Sequence, residues 1–81
     1  MKKIEDKIAR YINKIVLDKA FSEDFNSDTN LLERGILDSM EFIELILYME
    51  KILSIDSLLN KIEIDNALSI NALAKEIRRA S

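Results

Sequence analysis

The stretch that decides the fold is Gly35-Ile36-Leu37-Asp38-Ser39-Met40-Glu41-Phe42-Ile43-Glu44-Leu45. It opens on the chain's one glycine and runs into an amphipathic segment that reaches Leu53. Asp38 stands where a helix N-cap belongs. Its short carboxylate can accept a hydrogen bond from a first-turn amide, and Glu41 occupies the reciprocal capping-box position three residues on. The pattern predicts a helix over roughly 39–53. At about 100° per residue, Phe42, Ile43, Leu45, Ile46, Met49 and Leu53 cover a broad inward face. Glu41, Glu44, Tyr48 and Lys51 form a narrow outward stripe, flanked by Met40 and Leu47, which are expected to stay partly in water. Glu50 falls within the apolar arc and is expected to escape at the helix end.

Upstream, Ile4, Ile8, Tyr11, Ile12, Ile15 and Val16 make one helical stripe and predict a first helix over roughly 3–19. Glu5 and Asp6 in its first turn and Lys19 near its end suit the helix dipole. Residues 20–38 are turn and cap chemistry, with Phe21 and Phe25 as anchors onto the core. Asp28 is expected to cap a short turn through Leu31, Leu32 and Arg34 that Gly35 stops. Downstream, Ile62-Glu63-Ile64-Asp65 alternates like a strand, but no partner segments exist to build a sheet. A short third helix within roughly 58–67 fits better. Ser69 then caps a last helix with the stripe Ile70, Leu73, Ala74 and Ile77, and Arg78 and Arg79 complement its C-terminal dipole.

The resulting fold class is all-α: one domain over 1–81, a small bundle of three main helices and one short helix. Composition agrees. The 81 residues are 48% hydrophobic, with no Pro and one Gly, enough apolar mass for one small core and favourable to uninterrupted helices. There is no Cys and no His, which removes disulfides, zinc sites of the usual ligand types and His-based catalytic pairs. The carboxylates lack the calcium-loop spacing, so no metal site is expected. A net charge of −3 argues against nucleic acid. No run approaches the roughly 18 apolar residues of a membrane span. The expectation is a cytoplasmic protein with no membrane insertion and no catalytic residues.

Ser39 is the residue with chemical potential. A serine in the first turn of a helix lies beside amides without intrahelical partners, at the positive end of the dipole. That is a favourable seat for a phosphate, free or esterified. Taken alone, Asp38-Ser39 is a helix start and nothing more. Its neighbours extend the pattern: Leu31-Leu32-Glu33-Arg34-Gly35-Ile36-Leu37-Asp38-Ser39-Met40, then Glu44-Leu45 and Glu50, and Asp65-Asn66-Ala67-Leu68-Ser69-Ile70 downstream.

Over roughly 28–77 this combination resembles the acyl and peptidyl carrier proteins. The resemblance implies that Ser39 receives 4′-phosphopantetheine from a phosphopantetheinyl transferase. The arm's terminal thiol then holds an acyl or aminoacyl group as a thioester, a borrowed thiol in a chain with no cysteine. Asp38 matches the acidic residue before the serine, where it caps the helix and marks the site for the transferase. Met40, Glu41, Glu44 and Leu47 match positions through which partner enzymes dock, the carboxylates steering encounter and the apolar contacts supplying grip. Implied partners are the transferase, an ATP-dependent acyl- or aminoacyl-activating enzyme and a downstream transferase or modifying enzyme. Such a protein is a free-standing carrier and not an enzyme. Met40 replaces the commoner Leu, Lys51 stands where many fatty-acid carriers have a second acid, and Leu53-Ser54 lacks the glycine frequent after the second helix. The form Gly-Ile-Leu-Asp-Ser is closer to peptidyl, aminoacyl and D-alanyl carriers. The alternative is an unmodified helical interaction module that docks through Met40 and Leu47. A hydrolase built on Ser39 would lack a histidine base.

Overall fold

The computed structural model describes residues 4–19 and 24–80, and Phe21 lies outside them. The described residues form a small all-α bundle without strands. In order come α1 (Ile4–Lys19), α2 (Ser39–Leu53), the single turn α3 (Leu58–Lys61), a 3-10 turn (Ile64–Asn66) and α4 (Ile70–Ala80). No helix among the described residues is long and apolar enough to cross a membrane.

The stripes predicted from periodicity meet in one core. Ile8 and Ile12 of α1, Phe42, Leu45, Ile46 and Met49 of α2, and Ile70, Leu73, Ala74 and Ile77 of α4 are buried. Each large side chain so buried contributes about 1.5–3 kcal/mol. Ile43 and Leu53, expected on the inward face of α2, are half-buried, as is Glu50 near its end. Lys19 meets Glu41 and Tyr11 stacks on Tyr48, so α1 and α2 run antiparallel.

The connection into α2 is part of the core rather than a cover over it. Leu31, Ile36 and Leu37 are all but fully buried. Asn30, not Asp28, caps the short turn: its Oδ1 accepts from the amides of Leu32 (3.1 Å) and Glu33 (2.8 Å). Asp28 is drawn elsewhere, accepting from Asn71 Nδ2 at 2.9 Å. The Leu31 amide donates to Leu68 O at 2.7 Å, and the Asn71 amide to Ser27 O at 3.0 Å. The loop is thereby laced to the start of α4, 40 residues or so further along the chain. Gly35 closes the turn at φ 73°, the left-handed region.

The expected third helix divides in two because Ile62 turns extended (φ −109°, ψ 155°) after α3. Ile62 is buried, and the Glu63 amide donates to Glu76 Oε1 at 3.2 Å. Glu76 is itself buried on α4. Its second oxygen accepts from Arg79 Nη1 at 2.7 Å, so both carboxylate oxygens are partnered. Ser69 caps α4 as predicted, its Oγ accepting from the Ala72 amide at 3.1 Å. Glu5 pairs with Arg78 at 2.6 Å and joins the start of α1 to the end of α4.

Two of the three left-handed residues among those described, Gly35 and Ser54, set opposite expectations. After α2, Ser54 adopts φ 57° and ψ 42° where glycine is preferred. Ser54→Gly is therefore expected to stabilise the fold by roughly 0.5–1 kcal/mol. At Gly35 nothing lies within 4 Å of an added Cβ, so Gly35→Ala meets backbone strain alone and is expected to cost about 1 kcal/mol. Urea denaturation of the two variants tests the pair, and a shift of the same sign in both contradicts this account.

Candidate functional site

The site forms where the buried loop ends and α2 begins. Asp38 has extended backbone (φ −88°, ψ 176°), and both halves of the predicted capping box are present. Asp38 Oδ1 accepts from the Glu41 amide at 2.8 Å, and Glu41 Oε1 accepts from the Asp38 amide at 2.9 Å. The Phe42 amide closes the first turn onto Asp38 O at 2.9 Å. Ser39 is the first residue of the helix and is exposed. Its hydroxyl has no hydrogen-bond partner among the described residues. Helix geometry leaves the Ser39 and Met40 amides without intrahelical acceptors. The residues beneath are rigidly packed, since Phe42, Leu45 and Ile46 are fully buried.

Met40, Glu44 and Leu47 fall at i, i+4 and i+7 on α2 and share a face. Met40 is 67% and Leu47 47% exposed, and Glu44 is exposed between them. Glu41 departs from the predicted outward stripe. Its side chain is 24% exposed, and Oε1 also accepts from Lys19 Nζ at 2.8 Å. The reason is the position of α1, whose last residue, Lys19, reaches Glu41 and draws it out of the stripe. Tyr48 is 40% exposed, as the outward stripe predicts, while its ring stacks on Tyr11 with centroids 4.6 Å apart. Glu44 and Lys51 remain exposed.

Lys19 is the residue that sequence reasoning missed in this role. Besides Glu41, its ammonium donates to Ile36 O at 3.0 Å. A lysine at a helix end signals a dipole contact, and nothing local to it identifies a carboxylate 22 residues away. Tyr11, Tyr48 and Leu17 with Arg10, Asn13 and Lys14 line a groove of about 440 Å³ between α1 and α2, which Ser39 does not line. The Tyr11 phenol is held above the ordinary 10.0, first by burial, then by Glu44, Tyr48 and Glu41.

The arrangement offers an exposed hydroxyl with no hydrogen-bonded base among the described residues. A protruding hydroxyl stands beside free amides, and the nearest carboxylate is committed to the cap. In comparisons with known proteins, no family model, no curated protein and no solved structure matches this chain.

Asp38→Ala is expected to cost about 1 kcal/mol and Asp38→Asn much less, because the amide oxygen still caps. Thermal or urea unfolding of both variants checks this, and equal losses would contradict the capping role. For Tyr11 the folded form holds its proton more tightly than the unfolded chain. Its contribution to stability is complete below the unfolded value, about 10, and is lost as pH rises through the folded one. Ultraviolet titration should resolve one tyrosine ionising above the ordinary range, and Tyr11→Phe should remove that phase.

Proposed function

We propose that this chain is an acyl or aminoacyl carrier protein that bears 4′-phosphopantetheine on Ser39 and passes its cargo between partner enzymes. The observation that carries the reading is the Ser39 hydroxyl, exposed and unpartnered among the described residues at the tip of a helix with a fully buried back. The motif around it, Gly35-Ile36-Leu37-Asp38-Ser39, supplies the resemblance, and the all-α bundle is compatible with it. The first-turn amides and the positive end of the dipole favour a phosphate ester at this position.

Each group has a defined part. Asp38 and Glu41 hold the first turn, so that the Ser39 Oγ projects from a fixed backbone. Transfer from coenzyme A forms one P–O bond to that oxygen, breaks the pyrophosphate bond and releases adenosine 3′,5′-bisphosphate. The hydroxyl proton goes to a base on the transferase, since this chain has no histidine. The arm supplies the thiol that carries cargo as a thioester. Met40, Glu44 and Leu47 form the exposed face beside the attachment point, where basic enzymes dock by weak, reversible contacts. Loading falls to an ATP-dependent activating enzyme, and a downstream transferase or modifying enzyme takes the cargo on.

Exposure of Met40 and Leu47 also favours a second reading, an interaction module that is never modified. Intact-mass measurement after incubation with a broad-specificity phosphopantetheinyl transferase and coenzyme A separates the two. The carrier gains one phosphopantetheine per chain, and Ser39→Ala abolishes the gain while leaving the helical spectrum unchanged. A folded protein that stays unmodified points to the interaction module.

A further inference from the structure

We propose that Lys19 is a positioning residue for the Ser39 hydroxyl, an inference that rests on the carrier reading. Lys19 ends α1, and its ammonium reaches across to both sides of the modification site. On the near side it donates to the carbonyl of Ile36, two residues before the cap. On the far side it donates to Glu41 Oε1, the same oxygen that accepts the Asp38 amide. One cation therefore holds the residue that precedes the turn and the residue that completes it. Between them lie Leu37, Asp38, Ser39 and Met40, and the backbone torsions of this span aim the Ser39 side chain.

The capping box fixes the first turn relative to α2 alone. Lys19, the last residue of α1, fixes that turn relative to α1 and to the buried loop, bonding to Glu41 in the turn and to Ile36 in the loop. Without it the box can still close and Phe42, Leu45 and Ile46 can still pack, so the fold survives while the aim of Ser39 loosens. The pairing also partly neutralises Glu41. A basic partner then reads Glu44, which is exposed, more strongly than Glu41, which is held.

The test is steady-state modification of the full chain by the transferase and coenzyme A, for wild type, Lys19→Met and Lys19→Arg. Methionine keeps the stem and removes the donors. Lys19→Met is expected to lower kcat by about tenfold, in the range that small misplacement of a reacting group produces. Its KM should be unchanged or lower, because loss of a cation makes the docking face more acidic. Lys19→Arg restores most of kcat. Amide hydrogen exchange of the unmodified proteins gives a second readout, with the Asp38 and Glu41 amides faster in Lys19→Met and those of α4 unaltered. Unchanged kcat in Lys19→Met, a loss carried wholly by KM, or exchange that quickens uniformly along the chain overturns the proposal. If wild type is modified and Lys19→Met matches it, the positioning role alone fails. If wild type is not modified at all, the carrier reading fails and the positioning role with it.

Discussion

Burial of the apolar face of α2 is the constraint from which the rest follows. Phe42, Leu45, Ile46 and Met49 have no exposed surface, and a bundle this small holds few other large groups to replace them. Removing any one of them would leave a cavity that so short a chain has little mass to refill. α1 and α3 both pack against α2. What remains open includes the Met40, Glu44 and Leu47 face, Tyr48, Lys51 and Ile52, and, at the helix start, Ser39. The exposed face is thus the remainder of the packing problem, which leaves Met40, Glu44 and Leu47 open beside Ser39.

The loop before α2 converts that packing into precise presentation. Leu31, Ile36 and Leu37 are buried, and the Leu31 amide is satisfied by Leu68 O rather than by water. A connection of this length would ordinarily be the most mobile part of such a domain. Here apolar anchors and cross-chain hydrogen bonds hold it against α4, so Asp38 enters the helix from a fixed direction. Glu76 does similar work at the other end, where a buried carboxylate with both oxygens partnered ties the extended Ile62–Glu63 segment to α4. Buried polar groups in this protein join segments that hydrophobic contact alone would leave free to slide.

Much of the fold was legible from local pattern. The stripes at Ile8 and Ile12, at Phe42 through Met49 and at Ile70 through Ile77 give the right helices, because a 3.6-residue period needs no knowledge of what covers it. The capping box at Asp38 and Glu41 and the stop at Gly35 were legible for the same reason, as cap chemistry acts within one turn. The short turn before Gly35 was assigned the wrong cap, since Asp28 and Asn30 are equally suited locally and the choice falls to Asn71, which draws Asp28 away. The break at Ile62 was hidden likewise, since the carboxylate that takes the Glu63 amide is Glu76, 13 residues further on.

For the site, the sequence by itself determined a serine in the first turn of an amphipathic helix, its cap and the apolar residues behind it. These depend on neighbours within a few positions and on periodic burial. Only the tertiary structure decided which carboxylates remain open to a partner. Glu41 and Glu44 look alike along the chain, and both lie near Tyr11 of α1, but the Lys19 ammonium closes on Glu41 from 22 residues away. Side chains that distant meet only after the core has set the helices against each other, and no local pattern encodes that meeting.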